Sequence, residues 1–252
     1  MAVMDEFKEE RQRMKSQPFK VRFAYFWDYH KWHVIIGIFV GICSFNLIYS
    51  MLTAKENVFT AAIIDCYADA VKAEEYTNEM IKLMDIDTKH ESIYLDNSYH
   101  LSGADTPDAS TSEVLGVRIV ANEIHVFLSP EDIFNRFVLN DIFTDLRTVL
   151  SEEDLEYYKD SFYYVDQAVV EKGDIYNTDF IENPFTDTAN HKSPEGMENP
   201  IPVGIYATGS EDFQSTYYFL RDSQEVVFGI PFYVEDTTRA MQFLDSMTGR
   251  VK

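Results

Sequence analysis

The hydrophobic pattern changes character once along the 252-residue chain. Val34–Leu52, VIIGIFVGICSFNLIYSML, runs for 19 positions without a charge, and only Ser44, Asn46 and Ser50 are polar. As a helix rising about 1.5 Å per residue it is about 28 Å long, close to the hydrocarbon thickness of a bilayer. Its length and its lack of a polar stripe predict a transmembrane helix rather than the core helix of a soluble domain. Beyond it, short apolar runs alternate with helical spacing. Val58–Asp65 has the apolar density of a buried strand. Tyr76, Met80, Leu83 and Met84 recur at helical intervals and predict a helix over Lys72–Met84. Ser92–Asp96, Ile124–Leu128, Ile201–Ala207 and Glu225–Ile230 read as further strands.

Capping chemistry places the remaining helices. Ser110 and Glu113 form a capping-box pattern before Val114, Leu115 and Ile119. Ser129-Pro130-Glu131-Asp132 supplies an N-cap hydroxyl, a proline for the first turn and acids at the positive helix end. Ser151-Glu152-Glu153-Asp154 repeats that logic. A closing helix from Asp236 buries Ala240, Phe243, Leu244 and Met247 and ends at Gly249. Loops are expected around Gly103 and Pro107 and over Gly173–Pro200. Strands separated by helices predict an α/β domain with a mixed sheet.

Charge gives the span a direction. Residues 1–33 hold seven basic and five acidic side chains, so they carry +2 while the rest of the chain carries −24. Tyr25, Phe26, Trp27, Tyr29 and Trp32 crowd with His30, Lys31 and His33 just before the span, the chemistry of a lipid–water interface. Basic residues stay in the cytoplasm, so the expected order is a cytoplasmic segment 1–33, a transmembrane helix 34–52, a linker 53–57 and an extracytoplasmic domain 58–252. Leu52 stands where a signal-peptidase site needs a small residue, and Ile42 stands where lipidation at Cys43 would need one. Cys43 in lipid and Cys66 in the outer domain cannot pair. With no Asn-x-Ser/Thr sequon, the pattern fits a bacterial exported domain. A net charge of −22 argues against nucleic acid as a partner.

Candidate chemistry is sparse. The six histidines show no metal spacing, and His125 reads as a half-buried strand residue. Ser210 lacks a G-x-S-x-G setting, and no P-loop, G-x-G-x-x-G or EF-hand pattern occurs. No catalytic residue, metal site or cofactor is therefore predicted. In an α/β sheet a ligand sits at the carboxyl ends of the strands. The residues expected there are Asp65, Tyr67, Asn97, Tyr99, Ser129, Tyr206 and Thr208, whose rings and hydroxyls suit a small polar or sugar-like solute.

Two segments carry a family resemblance. Glu225–Gly249, EVVFGIPFYVEDTTRAMQFLDSMTG, resembles the closing strand and capped helix of type 2 extracellular solute-binding proteins, with Ala240, Phe243 and Leu244 in the pattern's places. Glu123–Leu155 resembles another part of that fold, where a strand and short helix precede an F-x-D-L element, here Phe143, Asp145 and Leu146. The whole chain is similar to single-pass membrane-anchored proteins of Clostridia-like bacteria. The resemblance implies a periplasmic-binding-protein-like outer domain that binds or senses a small solute without enzymatic activity. The expected partners are the bilayer, through Val34–Leu52, and a small polar solute. An envelope protein is expected if the domain is instead a scaffold acting through protein contacts.

Overall fold

A computed structural model of the chain describes residues 17–101, 109–138, 140–170, 190–219 and 225–250. The expected loop at Gly103 and Pro107, most of Gly173–Pro200 and the basic residues from Lys8 to Lys15 lie outside these. The chain divides into two units, Met1–Ala54 and Lys55–Lys252.

In the first unit, α1 (Phe19–Thr53) is one continuous helix of 35 residues that starts directly after Pro18. The aromatic approach to the apolar run is thus helical as well. Phe19, Phe23 and Trp27 recur every four residues on one face, and their rings stack at 6.2 and 6.1 Å. Within α1, His30–Thr53 is long and apolar enough to cross a membrane. Its large apolar side chains are exposed, as lipid-facing residues are.

The second unit is built on a six-stranded sheet. Its strands are β1 (Glu56–Ile63), β3 (Glu91–Asp96), β4 (Val126–Ser129), β5 (Phe162–Asp166), β6 (Pro200–Thr208) and β8 (Glu225–Gly229). The order across the sheet is β3-β1-β4-β8-β6-β5. β1 runs parallel to both β3 and β4, while β8 is antiparallel to β4 and to β6. β3, β1, β4 and β6 therefore point one way, and β8 and β5 the other. A separate ribbon pairs β2 (Cys66–Ala68) with β7 (Tyr217–Phe219).

Helices cover both faces. Alternate residues of the central strands go to opposite sides, Ala61, Ile63, Val126 and Leu128 to one and Ala62, Ile64 and Phe127 to the other. On the first side lie Tyr76 and Met80 of α2 (Ala70–Leu83), Phe213 of α8 (Glu211–Thr216) and Phe243, Leu244 and Met247 of α9 (Thr238–Thr248). On the second lie Leu115 and Ile119 of α3 (Ala109–Val120) and Ile133, Phe134 and Val138 of α4 (Glu131–Val138). Both faces being covered is why the central strands read as nearly unbroken apolar runs. Between β4 and β5 come α5 (Leu146–Val149) and α6 (Glu152–Tyr158), and α7 (Gln167–Val170) follows β5.

Helix ends follow local chemistry. Asp69 starts α2 by accepting from Val71 and Lys72 N–H at 3.0 and 3.1 Å. Ser151 starts α6 by accepting from Asp154 N–H at 3.1 Å. Gly249, at φ 75°, closes α9 in the left-handed conformation that favours glycine. Two expected caps differ. The Ser129 hydroxyl donates to the Pro130 carbonyl at 3.1 Å instead of accepting from the helix, because it is still part of buried β4. Helix α3 already begins at Ala109, so Ser110 lies inside its first turn. Gly204 and Gly229 pair across β6 and β8 and leave a dent under the Phe134 ring. A Cβ on Gly229 would lie 2.6 Å from Phe134 and 2.8 Å from Phe143.

Candidate functional site

From β1 the chain moves to β3 on one side, and from β3 it returns past β1 to β4 on the other, so the sheet has its switch point beside β1. The seven residues expected at the carboxyl edge fall into two groups around it. Asp65 is fully buried at φ 54°, directly after β1. Its N–H donates to the Tyr99 carbonyl at 2.8 Å, and its Oδ1 accepts from Leu101 N–H at 2.6 Å. Asn97 donates to the Cys66 carbonyl at 3.3 Å. The Tyr99 hydroxyl accepts from Arg118 at 2.7 Å, and the same guanidinium nitrogen reaches Asp96 at 2.8 Å. Tyr67 is half exposed, its ring 5.0 Å from His100. Burial would raise the Asp96 carboxyl, but hydrogen bonds from Ser98 and Tyr99 and the charge of Arg118 together hold it below the usual range.

The second group lies on β4 and β6. Ser129 and Tyr206 both register with Val227 of β8. Tyr206 donates to Glu131 at 2.6 Å across to the start of α4, and the Lys192 ammonium sits 4.7 Å over its ring. Burial, with Glu131 close by, pushes the Tyr206 phenol well above its ordinary value. Thr208 is exposed at the end of β6, opposite Glu225. Asp65, Tyr67, Asn97 and Tyr99 are thus brought together, while Ser129, Tyr206 and Thr208 form a separate row. In both groups the polar atoms are largely engaged with protein partners.

Two cavities open at the opposite, amino edge. The larger, about 650 Å³, lies where the 141–148 segment meets the start of β6 and the residues after β8. Phe143 bridges to Pro231 and Phe232 N–H donates to the Ile142 carbonyl, so these two segments are stitched by backbone bonds. Asp145 caps α5 through Arg147 N–H at 3.0 Å and grips the Arg147 guanidinium in a two-pronged pair at 2.6–3.1 Å. Gln167 and Asn199 line the other side, tied by a Gln167 N–H to Asn199 carbonyl bond of 2.9 Å. The Gln167 Oε1 is buried and has no hydrogen-bond partner. Phe232, 63% exposed, stands at the rim.

The smaller cavity, about 260 Å³, lies below β1 and β4 beside the first turn of α9. His125 lines it; its backbone N–H donates to the Thr60 carbonyl at 2.8 Å and its ring Nδ1 accepts from Thr60 N–H at 3.1 Å. That bond places the imidazole proton on Nε2. Burial, helped by the nearby Arg239, lowers the His125 pKa, so the ring is neutral at pH 7. Tyr233 donates to the Ile124 carbonyl at 2.8 Å, and burial pushes its phenol up to about 12.

No family model, curated protein or solved structure matches this chain. The site therefore rests on its own geometry. Among the described residues no three His, Cys, Asp or Glu side chains gather as a metal site. Buried Cys66, its thiol pushed up to about 12 by desolvation, is an unreactive core residue. Of the residues lining the larger cavity, the F-x-D-L pattern had singled out Phe143 and Asp145. Arg147, Gln167, Asn199 and Phe232 carried no sequence signal, because each comes from a different segment with nothing local to mark it. The arrangement offers hydrogen-bonding groups of both kinds and one exposed ring.

Proposed function

We propose that the protein is a membrane-anchored, extracytoplasmic binding or sensing domain, non-enzymatic, for a small polar solute held in the larger amino-edge cavity. A helix able to cross a membrane, followed after two residues by an α/β domain, supports the anchored arrangement. The basic, aromatic approach to the span supports a cytoplasmic amino end. The coincidence of Phe143 and Asp145 with the motif of the solute-binding resemblance supports a periplasmic-binding-protein-like domain.

The observation that carries the reading is the lining of the larger cavity, where hydrogen-bonding side chains from separate segments converge beside an exposed ring. Asn199, the free edge of the Arg147 guanidinium and the exposed Phe232 ring complete a surface suited to a neutral molecule with several hydroxyl or amide groups. Thermal-shift screening of the full-length protein in detergent micelles against neutral sugars and small amides tests this. At least one solute should raise the melting temperature, and Gln167→Leu should abolish that rise. If none does, and the protein co-purifies with another envelope protein, the scaffold reading takes its place. A reporter fused after Lys252 that is active in the cytoplasm would overturn the topology.

A further inference from the structure

The smaller cavity differs in kind from the larger one, because it sets cationic and anionic groups around an apolar wall. Arg239, on the first turn of α9, is only loosely engaged: its guanidinium reaches the Val58 carbonyl at 3.4 Å and Glu91 at 3.9 Å. Both contacts are at the weak limit for such groups, so most of its five N–H donors remain available. His125 lines the cavity too, but its ring is engaged, with Nδ1 accepting from Thr60 N–H and the ring bonded to the Glu123 carbonyl. Glu235 and Asp236 line the same cavity and are exposed, with Asp236 also accepting from Thr238 N–H at 3.0 Å. Phe59, Val234 and Ala240, all buried, contribute apolar wall. The volume, about 260 Å³, equals roughly eight or nine water molecules.

A simple anion fits this poorly. Glu91, Glu235 and Asp236 outnumber Arg239, and the unit as a whole is strongly acidic. A simple amine fits equally poorly, because it would leave the Arg239 donors unanswered. A molecule carrying both charges on groups that flank one carbon answers all of them. We propose that this cavity is a second ligand site, distinct from the larger one, that takes a small α-amino acid: its carboxylate on Arg239, its ammonium toward Glu235 and Asp236, and its short apolar side chain against Phe59 and Val234. The site rests on Arg239 and on no group of the larger cavity, so it stands or falls independently of the solute proposed there.

Isothermal titration of the full-length protein in detergent micelles with alanine and valine, with acetate and ethylamine as single-charge controls, tests the assignment. Alanine or valine should bind at least tenfold more tightly than either control. Arg239→Gln should weaken that binding tenfold or more. Glu235→Gln, at an exposed position that leaves folding untouched, should weaken it several-fold. Gln167→Leu and Phe232→Ala should leave it unchanged. Absence of amino-acid binding would overturn the proposal, as would acetate binding as tightly as alanine or binding that survives Arg239→Gln. Loss of amino-acid binding in Gln167→Leu would move the ligand to the larger cavity and overturn it equally.

Discussion

The two edges of the sheet use polar side chains in different proportions, although His100 Nδ1 at the carboxyl edge is also buried without a partner and Asp145 and Arg147 at the amino edge bond each other. At the carboxyl edge, Asp65, Asn97, Tyr99 and Tyr206 bond to backbone groups or to Arg118 and Glu131, and they hold loops to strand ends. At the amino edge, Gln167 Oε1 is buried with no partner, Arg239 makes only long contacts, and Phe232 stands exposed. Polar groups that bond one another stabilise a fold and have little left for a ligand. Groups left under-used cost stability and are what a ligand can satisfy. The location of binding chemistry is therefore read from what side chains do not already do, more than from which strand end they occupy.

The sharpest way to break this contrast is at Gly229, which lies beneath both Phe134 and Phe143. Gly229→Ala should cost about 3 kcal/mol in urea denaturation, since the added methyl has no room. Solute binding should fall with it as Phe143 is displaced toward the larger cavity. Next comes Asp65→Ala, which removes the acceptor for Leu101 N–H and places alanine at a left-handed position. A loss of about 2 kcal/mol is expected, with ligand affinity at the amino edge unchanged. Tyr206→Phe should cost about 1 kcal/mol by freeing Glu131, again without touching affinity.

The amino edge should behave in reverse. Gln167→Leu and Phe232→Ala should shift stability by no more than about 0.5 kcal/mol, while solute affinity falls tenfold or more. Stability losses at Gln167 that exceed those at Asp65 would mean the edges had exchanged roles. The smallest effect concerns pH. The folded-state pKa of His125 lies below its unfolded value, so its contribution to stability is complete above about pH 6.5 and declines as the pH falls through the folded value. His125→Gln should flatten that acid limb of the stability curve, measured by urea denaturation between pH 7 and 5.

Much of the architecture was legible along the chain because it depends on neighbours a few residues apart. The β1, β4, β6 and β8 runs, the α2 and α9 faces and the Gly249 stop follow from periodicity and capping. What was missed has weak local signals. β5 (Phe162–Asp166) follows directly on a helical stretch, α8 has six residues, and the β2–β7 ribbon joins three-residue strands some 150 residues apart. Ser129 shows the opposite error: a strong capping pattern yielded to strand pairing, because Ser129 bonds within the sheet before the helix begins.

The candidate sites divide along the same line. The apolar span and its basic, aromatic approach are one-dimensional features, since a bilayer tests length, hydropathy and flanking charge and little else. The smaller cavity is assembled from three separate segments and the larger from four, through register across β8 and the bridge from Phe143 to Pro231. Whether a carboxamide or guanidinium ends up satisfied or waiting depends on partners far away in the chain. Pattern alone cannot carry that information, because hydrogen-bond satisfaction is a property of neighbours in space.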